Sequence, residues 1–180
     1  MASPFAIYGN KLFDSEYRVN GLWNTILAKY YPPGYNLNDY IICPEAYGKG
    51  TDTNGIRADL LVCKLDGAAE GNISTAKVLY EGKGINGDSF EQMEEQLDRF
   101  LMESARLKGF SCTVIGAKGN WVQFFSWESD QFKAVRWGSS KTGTGNKETG
   151  LHEGRRIYDI KKDEEWADVQ ELLQLFSSSA

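Results

Sequence analysis

A chain of 180 residues with a net charge of −5, 41% hydrophobic and 25% charged side chains is of one-domain size, able to bury most of a core and too apolar to stay disordered. No apolar run approaches the roughly 18 residues that a membrane span requires, and the opening Met1–Gly9 has neither the basic start nor the long apolar segment of a secretory leader. The acidic balance disfavours non-specific wrapping of nucleic acid.

The first element is a helix near residues 17–30, where Val19, Leu22, Trp23, Ile26, Leu27 and Tyr30 recur at helical spacing. Pro32-Pro33-Gly34 ends it, since proline cannot continue the hydrogen-bond ladder. A short strand follows over Tyr40–Cys43, stopped by Pro44. Two stronger strands, Ile56–Leu65 and Thr75–Lys83, flank a Gly-, Asn- and Ser-bearing turn at Asp66–Ser74. Their apolar centres read as strands covered on both faces. A helix over Phe90–Lys108 comes next, with Phe90, Met93, Leu97, Phe100, Leu101 and Ala105 as its apolar stripe. Ser89-x-x-Gln92 is a capping box, and Gly109 is a stop signal. A hairpin at Ser111–Ala117 and Trp121–Trp127 turns through Lys118-Gly119-Asn120, and a strand at Phe132–Trp137 extends it. Residues 138–150 are polar and Gly-rich, and read as a mobile loop. The last helix spans Asp163–Phe176, with Trp166, Val169, Leu172, Leu173 and Phe176 on one face and Ser177–Ala180 as a tail. This order predicts one α/β domain over 1–180, a central mixed β-sheet flanked by helices, with no internal repeat.

Three cysteines at wide spacing in apolar surroundings, Cys43, Cys63 and Cys112, suit buried thiols and an intracellular setting, cytoplasmic or nuclear. With no Cys-x-x-Cys pair and His152 as the single histidine, a structural zinc site and a Ser-His-Asp or Cys-His enzyme are disfavoured, and the role of His152 stays open. The Gly-rich stretch lacks the Gly-Lys-Ser/Thr ending of a phosphate-binding loop. Between Asp130 and Lys162 eight basic residues face four acidic ones. Arg155, Arg156 and Lys161 in that segment are candidates for nucleic-acid contact, and a solvated face is the competing reading. The aromatic residues from Trp121 to Trp137 suit base stacking or, more commonly, sheet packing.

The residues with the most chemistry are Asp59, early in one central strand, and Glu81 and Lys83, at the end of the next. Side chains alternate along a strand, so Glu81 and Lys83 share a face about 7 Å apart, and strand pairing brings Asp59 towards them. Two carboxylates that meet suit Mg²⁺ or Mn²⁺, and a neighbouring lysine suits charge development on phosphate. The acid-x-Lys spacing alone is weak, because Asp159-Ile160-Lys161 repeats it by chance. The context is more specific: an apolar strand with an early Asp, a hairpin, an apolar strand closing in Glu81-Gly82-Lys83, then a capped amphipathic helix.

That context resembles the PD-(D/E)XK nuclease superfamily, whose shared core runs αβββαβ. The motif match is Asp59, after Arg57-Ala58 and before Leu60-Leu61-Val62, together with Glu81 and Lys83. Ala58 stands where the family pattern has proline. The resemblance implies a restriction-endonuclease-like core, a Mg²⁺ or Mn²⁺ held by Asp59 and Glu81, and a Lys83 that assists the attacking water. It assigns a supporting role to Gln96 on the following helix (Gln92 being explained by the cap) and to an acid near the first helix, Glu16 or Glu45. The implied function is a divalent-metal nuclease cutting phosphodiester bonds, of DNA more than RNA, enlarged by a homodimer or a protein partner. The alternative is a non-catalytic module of the same fold that binds a protein partner.

Overall fold

The computed structural model describes residues 2–36, 38–47, 57–65, 74–104, 111–138, 140–141, 147–148 and 150–178. In chain order these form α1 (Glu16–Tyr30), β1 (Tyr40–Tyr47), β2 (Arg57–Leu65), β3 (Ser74–Lys83), α2 (Phe90–Glu103), β4 (Cys112–Lys118), β5 (Trp121–Glu128), β6 (Gln131–Trp137), β7 (Ser140–Lys141), β8 (Lys147–Glu148), β9 (Leu151–Glu153), β10 (Ile157–Asp159) and α3 (Asp163–Ser178). The strands build a mixed, mostly antiparallel sheet in the order β1-β2-β3-β4-β5-β6-β9, in which β3 and β4 alone run parallel. That pairing places α2 in the connection, since a parallel neighbour requires a crossover. One edge of β5 is shared: β6 pairs along Phe124–Glu128 and β10 along Trp121–Gln123.

Alternation along the strands divides the core into two layers. Val62, Val78, Tyr80, Ile115 and Phe124 pack with Trp23 of α1 and Trp166 and Leu173 of α3. Leu79, Val114, Phe125 and Trp127 pack with Met93, Leu97 and Phe100 of α2. Each helix therefore buries the stripe its sequence marks, and every residue of β4 from Cys112 to Ala117 is buried, as an interior strand covered on both faces must be. The aromatic hairpin residues Phe124, Phe125 and Trp127 serve this packing. One irregularity sets its phase. Val62 pairs with Val78 while Cys63 pairs with Ala76, so Lys77 is an extra residue in β3, a bulge that puts Ala76 and Leu79 in the same layer.

Several expectations change. Pro44 does not end β1, which continues to Tyr47: β1 is the sheet edge, and a proline there needs no ladder donor. Helix α2 ends at Glu103, with Ser104 in extended conformation closing it. Ala105 and the stop at Gly109 lie outside the described residues, as do Asp66–Ile73 of the β2–β3 turn. Helix α3 runs on to Ser178, two residues into the expected tail. Within 138–150 the described residues include the short pair β7–β8. The capping box is present in full: Ser89 Oγ accepts from the Gln92 N–H, and Gln92 Oε1 accepts from the Ser89 N–H at 2.9 Å. Cys43, Cys63 and Cys112 are free thiols, the last two buried. Among the described residues no helix is long and apolar enough to cross a membrane.

Candidate functional site

Asp59 lies near the start of β2 and Glu81 and Lys83 at the end of β3, so antiparallel pairing carries all three to one end of the sheet. The β2–β3 ladder closes at Leu60↔Tyr80, and beyond it Asp59 reaches β3 through its side chain, at Gly82. Glu81 is only 7% exposed. Lys83 Nζ donates to Glu81 Oε1 at 2.7 Å and lies 3.4 Å from Glu16 Oε2 on the first turn of α1. Of the two acids proposed near the first helix, Glu16 is thus the one that reaches the motif. Glu45 pairs with Arg57 at 3.4 Å instead.

Asp59 is held from two sides. Its Oδ2 accepts the Gly82 N–H at 2.8 Å, and the Asn20 side chain of α1 also bonds it. Asn20 Oδ1 in turn accepts from the Tyr80 hydroxyl at 3.2 Å, which leaves its amide N–H₂ to face the carboxylate. The middle residue of Glu81-Gly82-Lys83 must be glycine for the same reason. A Cβ at Gly82 would run into Asn20 Oδ1 and Tyr80 Oη, and would lie 2.9 Å from Tyr80 Cζ. Asn20, Tyr80 and Gly82 were not singled out by motif. Their signal is the polar stripe Glu16, Asn20, Asn24 at i, i+4, i+8, beside the apolar face of α1.

The electrostatics follow from this crowding. Burial, then the charge of Asp59, raises the Glu81 carboxyl to about 7, against the opposing Lys83 hydrogen bond. Burial also raises Asp59, opposed by the Gly82 N–H, Lys83 and Asn20. Desolvation acts to lower the Lys83 ammonium, yet Glu81, Asp59 and Glu16 together outweigh it and raise its pKa. The buried Glu81 and the half-buried Asp59 near one ammonium are short of positive charge, the condition a hard divalent cation relieves. Among the described residues no three His, Cys, Asp or Glu side chains stand close enough to hold an ion. Asp59 and Glu81 could offer a cation two carboxylate ligands at most, the demand of one that keeps several waters, as Mg²⁺ does. A groove of about 480 Å³ opens beside Asp59, walled by Glu16, Tyr17, Asn20, Glu45 and Arg57.

The remaining candidates lie elsewhere. Gln96 is exposed on α2 and is not among the groups that touch Asp59, Glu81 or Lys83; α2 presents Met93 and Leu97 to the sheet instead. The arginines are neutralised: Arg155 pairs with Glu94 at 2.7 Å, and Arg156 pairs with Asp168 at 2.8 Å while stacking on Tyr158. Lys161 Nζ sits 5.9 Å from the centre of the Phe13 ring. Phe13 accepts the Ile85 N–H two residues beyond Lys83, but Lys161, like Gln96, is not among the groups that act on Asp59, Glu81 or Lys83. His152 is on β9, separated from β3 by three strands, and its Nε2 is buried without a partner. No family model, no curated protein and no solved structure matches the chain.

Proposed function

We propose that this chain is a divalent-metal-dependent phosphodiesterase that hydrolyses nucleic acid, DNA in preference to RNA, on a restriction-endonuclease-like core. The observation that carries the reading is the convergence at one sheet end of Asp59, Glu81 and Lys83, with the lysine bonded to the buried glutamate at 2.7 Å. The order α1-β1-β2-β3-α2-β4 supports it, being the αβββαβ order of that nuclease core.

The residues divide the work. Asp59, clamped by the Gly82 N–H and Asn20, has one orientation available, so it offers its oxygens without first losing rotamer freedom. Asp59 and Glu81 would hold a Mg²⁺ or Mn²⁺, which would supply positive charge to polarise a scissile phosphoryl group. Lys83 keeps its proton at neutral pH and sits half-enclosed between Glu81 and Glu16, a fixed donor for charge developing on a phosphate oxygen. The groove beside Asp59 is the entry for the strand. With Arg155 and Arg156 neutralised, the chain relies on a second copy or a protein partner to enlarge the contact surface.

The test is cleavage with Mg²⁺ or Mn²⁺ by purified protein, stopped by EDTA and lost in identically prepared Asp59→Ala and Glu81→Ala. Both variants should remain folded, with thermal stability unchanged or raised, since the two carboxylates repel each other in the metal-free state. A wild type inert on single-stranded, duplex and branched substrates, with no Mn²⁺ bound by calorimetry, overturns the enzyme and leaves the protein-binding module as the reading.

A further inference from the structure

A second site lies on the α2 side of the sheet. Glu81 pairs with Gly116, Gly116 with Gln123 and Gln123 with Ile157, so the four form one row across β3, β4, β5 and β10. Gln123 is two strand spacings from Glu81, about 9.5 Å. The first turn of α2 stands over the gap, and a Cβ at Gly116 would meet Met93 Sδ at 3.1 Å. Beyond that turn a pocket of about 260 Å³ opens, lined by Phe90, Glu91, Glu94, Gln123, Arg155 and Arg156.

Gln123 does not fit a core role. It is 3% exposed, yet its side-chain amide donates to no described group, and its polar atoms are not sealed off as those of Trp23 and Trp127 are. Such a buried amide costs stability unless something bonds it. Its opening is the pocket. The charges around it decide what that something is. Arg155 is neutralised by Glu94 and Arg156 by Asp168, and Glu91 adds a further negative charge, so the walls hold no spare cation for a phosphate. They hold an amide with one donor pair and one acceptor, an Arg–Glu pair offering the same two functions, and the aromatic ring of Phe90. That set matches a neutral, flat heterocycle with mixed donors and acceptors on its edge.

We infer that this pocket binds a nucleobase, read by the Gln123 amide and flanked by Phe90. Its assignment to a base of the cleaved strand rests on the phosphodiesterase reading; the pocket's chemistry does not. The volume, just below the roughly 300 Å³ at which small-molecule sites begin, admits one base and excludes a base pair, so the ligand is a single-stranded or flipped nucleotide.

The experiment is a titration of ¹⁵N-labelled protein with adenosine, guanosine, cytidine and thymidine, without metal, followed through the Gln123 side-chain N–H₂ signals. One nucleoside should bind at millimolar or tighter concentration and move those signals. Gln123→Leu, of similar volume, should weaken it tenfold or more while melting no lower than wild type, because an unpaired amide has been removed. Phe90→Leu should weaken the same nucleoside. Asp59→Ala should bind it unchanged, so this site and the cleavage site fail separately. Absence of binding up to 10 mM on the order of the weakest useful affinities, equal binding by Gln123→Leu, or a response to inorganic phosphate in place of nucleosides would each overturn the inference.

Discussion

Gly82→Ala adds a single methyl group at the most crowded point of the site. The new Cβ meets Asn20 Oδ1 and Tyr80 Oη well inside contact distance, and neither obstacle is free to leave. Tyr80 is fully buried with its ring stacked on Trp23 at 5.7 Å, and Asn20 is bonded to both Tyr80 and Asp59. Overpacking of this kind costs about 1–3 kcal/mol, and parting the Tyr80–Asn20 hydrogen bond adds about 1 kcal/mol. A loss of about 2–4 kcal/mol lowers Tm by roughly 5–15 °C for a chain of this length. Urea and thermal unfolding of Gly82→Ala, Tyr80→Phe and the double variant measure it. Tyr80→Phe alone should destabilise by about 1 kcal/mol, but in the Gly82→Ala background it should cost less or nothing, because it removes one of the two atoms the methyl strikes and the hydrogen bond that holds the other, Asn20 Oδ1, in place. A Gly82→Ala protein within about 0.5 kcal/mol of wild type, the scatter of ordinary surface changes, or a Tyr80→Phe cost equal in both backgrounds, refutes the steric account.

Glu81 makes stability fall as pH rises. Its carboxyl holds a proton up to about pH 7 when folded and releases it near 4.5 when unfolded. Between those values the folded state is the more protonated, so raising pH from 4.5 to 7 costs up to about 3 kcal/mol; urea midpoints at pH 5.0 and 7.5 should show this slope, flattened in Glu81→Gln. Lys83→Ala should leave Mn²⁺ affinity within a few-fold by calorimetry and slow single-turnover cleavage about 10²-fold, because it removes a donor to developing charge rather than a ligand. Ser89→Ala deletes the acceptor of the capping box and should cost about 1 kcal/mol in chemical denaturation.

Elements whose own residues carry the information were legible in the sequence. The three helices each bury a stripe at helical spacing, and β2 to β6 are long enough for their apolar content to register. The partners that depend on position were not. Pro44 reads as a strand terminator until β1 is known to be an edge, and β9 and β10 have three residues each, too few for any period. The mixed sheet was expected, though not which pair of neighbours, β3 and β4, runs parallel. At the site, Asp59, Glu81 and Lys83 stood out because acid and lysine are anomalous at the ends of apolar strands. Asn20 did not, since an asparagine beside a helix stripe is unremarkable until Tyr80 and Gly82 close around it. Gln123 was passed over inside an aromatic strand whose packing explained its neighbours. Gln96 was placed by resemblance, and helix periodicity alone leaves it on a flank, outside the buried set of Met93, Leu97, Phe100 and Leu101.

The bulge at Lys77 gives β3 one residue that its ladder does not need. Lys77 is half-exposed, and Val62 and Cys63, adjacent on β2, pair with Val78 and Ala76 on either side of it. Excising Lys77 would make Ala76 and Val78 adjacent as well, so both halves of the strand would keep their partners and their faces. Excising Val78 or Leu79 is a different event: it reverses the faces of part of the strand or slides Lys77 into a core position. In a library of the gene, the in-frame deletion of codon 77 should therefore be far milder than that of codon 78 or 79, a contrast no single substitution in the strand would reveal.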